Sequence, residues 1–242
     1  MTAKNGYIPA LGYDALTRFY DPLIRWFLRE ATFKNALIEQ AQIAVLHRVL
    51  DVGCGTGTLT LMAKHAAPTA EVIGIDGDPK ILAIARAKAG HAAVQFDEGL
   101  ATALPYPEAS FDRILTSLVL HHLTTAEKER ALAEMLRVLR PGGTAITRQI
   151  GDGYWQEQRR WFARTNWGDH YAEYQRAFRE LGFDVDARYH EGRIAYESLG
   201  DVVYMMLVTP WEVPDFDPER HIDAIMSMED ALWTADGIVF TF

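Results

Sequence analysis

The stretch Val49-Leu50-Asp51-Val52-Gly53-Cys54-Gly55-Thr56-Gly57 decides the fold. A short apolar run ends in glycines at alternate positions, and a helical pattern begins at about Thr58. Strand, glycine-rich turn and helix in that order form the opening of a βαβ unit. Glycine suits such a turn because a Cβ would hold a ligand off the backbone and disfavour positive φ. The helix start beyond it offers N–H groups to a carboxylate or phosphate. The next apolar run ends at Asp76, whose carboxylate can accept from both hydroxyls of a ribose. A dinucleotide loop would read G-x-G-x-x-G. Its third glycine would fall at Thr58 counting from Gly53, or at Thr60 counting from Gly55. Neither frame fits, and the observed pattern is G-x-G-x-G with Asp51 ahead of it.

Working outward, short β-rich runs alternate with helical patterns between residues 47 and 150. The runs are Arg48–Val52, Glu71–Asp76, Ala92–Asp97, Asp112–Ser117 and Gly143–Ile150. That alternation predicts a doubly wound, mostly parallel α/β sheet buried on both faces. Asp78-Pro79 predicts a helix start and Gly90 its end. Thr124 and Glu127 predict a capping box, with Pro141-Gly142-Gly143 stopping the chain before the next strand. Asp14 to about Gln42 reads as one or two amphipathic helices broken at Asp21-Pro22. Tyr174, Ala177, Phe178 and Leu181 share a helical face ending at Gly182. Phe183, Val185, Ala187 and Tyr189 alternate like a strand. Ile222, Ile225, Met226 and Leu232 mark a further helix, and Ile238–Phe242 a last strand. The division expected is a helical lid over 1–44, an α/β core over 45–150, and a substrate-side cover with the final strands of the same domain over 151–242.

Five motifs in order resemble the class I S-adenosylmethionine-dependent methyltransferases. They are DVGCGTG at 51–57, VIGID at 72–76, Leu104-Pro105-Tyr106 with Ser110-Phe111-Asp112, SLVLHHL at 117–123 and LRPGG at 139–143. The resemblance covers residues 45–150 and is close to the branch that includes ubiquinone- and menaquinone-biosynthesis enzymes. It implies S-adenosylmethionine as cofactor, a Rossmann-like fold and methyl transfer to a small molecule. It further implies that Gly53 and Gly55 pass under the methionine part, that Asp51 helps place its amino group, and that Asp76 beside Gly77 holds the ribose. Leu100, Ala101, Ser117 and, from the lid, Tyr20 complete the implied contacts. At Leu100 the chain departs from the pattern, which commonly has an aspartate accepting from the adenine amine. Asp97 and Glu98 are near enough in sequence to compensate.

Other features narrow the chemistry. The 242 residues carry 24 Lys+Arg against 33 Asp+Glu, a net charge of −9. This disfavours a surface that tracks nucleic-acid phosphates. Cys54 is the only cysteine, which excludes an internal disulfide or a multi-thiolate metal site and fits a cytoplasmic protein. As a small residue in a tight loop it is no nucleophile, since direct methyl transfer needs none. No metal-spaced cluster is visible, no apolar run is long enough to span a membrane, and MTAKNGYIPALGYD lacks the apolar core of a signal peptide. His121 and His122 follow a strand end, where α/β sites lie. Either packs there, or His121 serves as a general base on a phenol, enol or amine. Tyr154, Trp155, Trp161 and Trp167 form either an acceptor pocket or a packed cover. Met205, Met206 and Trp211 read as core or as contacts of a homodimer. The acceptor expected is small and apolar or aromatic, methylated at O, N or C. A quinone or lipid acceptor, or a silent subunit that binds the cofactor without turnover, are the alternatives.

Overall fold

The computed structural model describes residues 30–148, 159–162, 170–187, 193–196, 198–208, 213 and 215–241. The chain forms two compact units, one holding the described residues from Ala31 to Arg148, the other Glu30 and those from 159 onward.

The first unit is a five-stranded parallel sheet in the order β3-β2-β1-β4-β5. Its strands are β1 (Arg48–Val52), β2 (Glu71–Asp76), β3 (Val94–Glu98), β4 (Phe111–Ser117) and β5 (Leu139–Arg148). Its helices are α1 (Glu30–Ala41), α2 (Thr58–Ala66), α3 (Pro79–Ala89) and α4 (Thr125–Val138). Val49, Leu115 and Ile146 pack with Leu37 and Ala41 of α1 and with Leu59 and Ala63 of α2. On the same face Phe96 packs with Leu82 and Ala85 of α3. Leu50, Ile73, Ile75 and Ile114, which alternate to the other face, are also fully buried, as are Ala131, Leu132 and Met135 of α4. Both faces are covered, as a parallel sheet requires. The strand order reverses between β1 and β4. The crevice outside their carboxyl ends is where such sheets bind ligands.

Local chemistry sets the boundaries. Asp78 accepts from the Lys80 amide at 2.8 Å with Pro79 in the first turn, and Gly90 closes α3. Thr124 and Glu127 form the capping box of α4. Helix and strand meet at Val138–Leu139, so β5 starts before Pro141. Gly142, at φ 78, lies in an irregularity of the β4–β5 pairing. β3 lies two residues further on at its start than the apolar run suggests, because Ala92 is spent on a turn bond from the Val94 amide.

The second unit contains α5 (His170–Glu180), β6 (Arg193–Tyr196), α6 (Leu199–Val208), α7 (Ile222–Leu232), β7 (Trp233–Thr234) and β8 (Gly237–Thr241). Its antiparallel sheet runs β6-β8-β7. Phe162, Tyr196, Val202, Met205, Met206, Ile225, Met228 and Ile238 form its core, with Trp161 packed against them. Gly182 ends the α5 region at φ 94. Residues 183–187 are not a strand, contrary to their alternation: Phe183 instead stacks edge-on with Phe178 at 5.3 Å. The strand that pairs with β8 is β6. Met205 and Met206 lie in the core; Tyr20, Tyr154, Trp155, Trp167 and Trp211 lie outside the described residues.

Candidate functional site

The loop after β1 is pinned before it turns. The amides of Gly53 and Cys54 both donate to the Ile75 carbonyl, at 2.8 and 3.0 Å, and Gly57 donates to the Cys54 carbonyl at 2.9 Å. Gly53, Gly55 and Gly57 have φ of 68°, 54° and 76°, which side chains resist. The three glycines nevertheless serve different ends. A Cβ on Gly53 would run into Val119 beyond β4, and one on Gly57 into the Phe96 ring. At Gly55 the nearest atom among the described residues is Ile81 Cδ1 at 4.0 Å. Gly53 and Gly57 close the fold, and Gly55 leaves room over the loop.

Asp76 braces this loop. Its Oδ2 accepts from the Gly55 amide at 2.9 Å and its Oδ1 from the Asp78 amide at 3.0 Å. Burial raises its pKa, while bonds from Gly55, Asp78 and Gly77 pull the other way. Each carboxylate oxygen has a further lone pair for a ribose hydroxyl. Asp51 is buried, on the α1–α2 face, and accepts from Thr60 Oγ1 at 2.6 Å. Burial pushes it up to about 6, against the Thr60 bond and the charge of Lys34; the nearby Asp76 adds to the rise. Lys34 carried no signal in the sequence beyond being one charge on an amphipathic helix. Cys54 is buried with its thiol pushed up by burial, and is inert.

The next wall comes from the turn after β3. Gly99 donates to the Asp76 carbonyl at 3.0 Å, and Ala103 to the Leu100 carbonyl at 3.0 Å. Leu100 is 53% exposed, with its Cδ2 2.9 Å from where a Cβ on Gly77 would stand. Gly77 is thus small because Leu100 lies over it. Asp97 is already engaged: it accepts from Tyr106 Oη at 2.8 Å and from Gln95 Nε2 at 2.8 and 3.0 Å. Glu98, in register with Asp76, is the acid that remains at the strand end.

At the end of β4, the buried hydroxyls of Thr116 and Ser117 have no hydrogen-bond partner among the described residues. Leu118 follows at φ 57, a strained conformation for leucine of the kind that clusters at functional sites. His121 and His122 lie in a 3₁₀ turn with ring centroids 4.0 Å apart. Burial lowers the His121 pKa well below the usual value, with His122 and Lys128 adding to the effect. Burial brings His122 to about 4. Both imidazoles are neutral at pH 7. Among the described residues no three His, Cys, Asp or Glu side chains gather to hold a metal, and no helix is long and apolar enough to cross a membrane.

These features fit a nucleoside carrying an amino-acid head group: an acid for the ribose, clearance over Gly55, an apolar wall at Leu100, and a buried acid with an orphaned hydroxyl at the crevice. Comparison with known proteins agrees. Residues 49–143 match the model of a methyltransferase domain. The demethylmenaquinone methyltransferase of Deinococcus radiodurans is 38% identical over 136 residues, covering 55% of this chain and 54% of that protein. The ubiquinone/menaquinone biosynthesis C-methyltransferase of Ralstonia pickettii is 35% identical over 127 residues, covering 51% of each. The chain thus spans about half the length of the curated relatives it matches. The YcgJ protein of Bacillus subtilis shares the fold with a TM-score of 0.63 at 22% identity, over 86% of this chain and 93% of that one. A methyltransferase of Haloferax volcanii, solved with the activator Trm112, does so with a TM-score of 0.62 at 22% identity, over 78% and 80%. Residues 49–143 are thus similar to the methyltransferase domain family.

Proposed function

We propose that this protein transfers a methyl group from S-adenosylmethionine to a small apolar or aromatic acceptor. The observation that carries this is the clearance over Gly55 beside the loop-braced carboxylate of Asp76. When bound, the cofactor supplies a methyl group activated by its sulfonium. The chain's own task is to hold the adenosine, align the acceptor and keep water out. In this reading Asp76 accepts from the ribose hydroxyls, Gly53 and Gly55 lie under the methionine part, and the Ala101 backbone reads the base edge. Leu100 packs on the base in place of a side-chain acceptor, since Asp97 is held by Tyr106 and Gln95. The single cysteine supports a cytoplasmic setting.

A quinone ring carbon is the acceptor favoured next, because relatives named as quinone-pathway methyltransferases match 51–55% of the chain. A buried, weakly basic His121 makes a poor general base for a phenol, so a pre-ionised or intrinsically nucleophilic acceptor suits the site better. Titration calorimetry with S-adenosylhomocysteine and with NAD tests the cofactor. Tight binding of the first and none of the second is expected; tight NAD binding alone overturns the reading. Release of S-adenosylhomocysteine in the presence of demethylated quinones, against simple phenols and amines, then sorts the acceptors.

A further inference from the structure

We infer that Lys88 is a positioning residue for the cofactor loop: from α3 it holds the second half of the glycine turn in the shape that receives the nucleoside. This rests on the cofactor assignment above and adds a residue outside the five motifs.

Between Gly53 and Gly57 only Cys54 and Thr56 carry side chains by which the turn can be gripped. Both are buried. Glycine gives up more backbone freedom on ordering than other residues do, so such a turn keeps one shape only where other groups fasten it. β2 fastens the first half. The Ile75 carbonyl takes the amides of Gly53 and Cys54, and Asp76 takes that of Gly55. The second half has an anchor from another element. Lys88 Nζ donates to Thr56 Oγ1 at 3.0 Å and to Thr58 Oγ1 at 2.8 Å. One ammonium thereby ties the residue between Gly55 and Gly57 to the first residue of α2.

The course of α3 brings Lys88 there. Ile81 Cδ1 is 4.0 Å from where a Cβ on Gly55 would stand, and Ala85 Cβ is 3.2 Å from that position on Gly57. Ile81, Ala85 and Lys88 are spaced as members of one helix face. That face follows the turn from Gly55 to Thr58. Helix-end electrostatics do not account for the place of the ammonium, because a cation at the start of α2 opposes the helix dipole. The two hydroxyls do account for it. Gly57, the N-cap of α2, offers no side-chain cap of its own. Both ends of α3 thus act on the turn. At its start the Asp78 amide donates to Asp76 at 3.0 Å, and in its last turn Lys88 grips Thr56. A turn fastened in its bound shape spares the ligand the cost of ordering it. Lys88 acts through Thr56 and Thr58 and needs no contact with the ligand.

The test is calorimetry with S-adenosylhomocysteine on the whole chain at pH 7.5, with hydrogen exchange on the ligand-free protein. Lys88→Met should weaken binding about 3- to 10-fold. Lys88→Arg, which still donates to both hydroxyls, should stay within about twofold of the wild type. In ligand-free Lys88→Met, the peptide holding Gly55–Thr58 should exchange faster while α4 keeps its wild-type rate. A residue serving overall stability alone would speed both. Thr58→Ala, which removes one of the two acceptors, should weaken binding about two- to fivefold. It leaves α3 intact, so a Lys88→Met protein that fails to fold does not protect the claim. Unchanged affinity in a folded Lys88→Met protein, or in Thr58→Ala where that protein does not fold, overturns the inference and leaves the cofactor assignment standing. A wild type that does not bind the ligand brings down both.

Discussion

A carboxylate with 1% of its surface exposed, as at Asp51, gives up most of its hydration, and one hydroxyl from Thr60 replaces only part of it. Its pKa rises from near 4 to about 6. The sign follows from linkage. A group whose pKa is higher folded than unfolded stabilises the fold in its protonated form, below about pH 4, and that stability is lost as pH rises through 6. In the ligand-free protein, Asp51→Asn should therefore gain on the wild type by up to about 3 kcal/mol between pH 4 and 7. Denaturant unfolding of both proteins across that range reads this directly, and a flat difference would falsify it. The same variant should bind S-adenosylhomocysteine more weakly at pH 7.5, so stability and binding trade against each other at one atom. The glycines offer a second contrast. Gly57→Ala places a methyl against Phe96 at an unfavourable φ and should cost roughly 2–4 kcal/mol. Gly142→Ala meets nothing within 4 Å among the described residues and should cost only the strain of its left-handed backbone, roughly 1–2 kcal/mol. Thermal unfolding checks both. The glycine turn after β1 and the acid at the end of β2 were legible as local geometry, because alternate glycines mark a tight turn and Asp76 closes an apolar run. The influence of Lys34 on Asp51 was not, because a lone charge on a helix usually faces water.

Between β3 and β4, a segment without regular structure is held as firmly as a strand. Arg137 of α4 donates to the carbonyls of Leu104 and Tyr106 at 2.9 and 2.8 Å and pairs with Glu134, which accepts from the Leu104 amide at 2.8 Å. Ser110 closes the far end by donating to Pro107 at 2.7 Å. This strap fixes the turn that carries Leu100 and Ala101. Arg137→Ala should lose about 2–4 kcal/mol, because the two carbonyls and Glu134 lose a charged donor. It should also weaken S-adenosylhomocysteine binding several-fold while Asp76 stays in place. An unchanged Kd in the destabilised variant would show that the strap serves the fold alone. The segment's motif was readable, and its mechanism was not, because Arg137 lies 33 positions from the carbonyl it holds. Helix ends were read well where one side chain makes the cap, as at Asp78 and Thr124. Residues 183–187 were misread because alternation alone cannot tell a strand from a helix-terminal turn in which Phe183 packs back on Phe178. α6 went unassigned because its ten residues are apolar nearly all round, and periodicity has nothing to grip there.

For the molecule as a whole, the −9 charge and the neutral histidines bound the behaviour in solution. With His122 near 4 and His121 lower than usual, no imidazole at the crevice titrates between pH 6 and 8. The pH profile of kcat with a non-ionising acceptor should be level across that range, with any acid limb near 6 coming from Asp51. A limb near 7 that His121→Phe removes would restore His121 as a base. The doubly wound parallel sheet was legible because βαβ alternation admits few topologies; the acceptor was not, because no residue spacing encodes a small-molecule pocket. One consequence belongs to synthesis rather than to chemistry. Arg48 at the head of β1 meets Asp112, 64 positions on, and Gly53 is shaped to receive Val119. A nascent chain that ends before β4 can therefore not complete the crevice. Its glycine loop waits, unwalled, until β4 arrives, a long-range closure that slows folding. A ligand that grips both strands would then favour chains that have finished this step over those still waiting, acting on newborn protein as a check of completeness before it acts as a reagent.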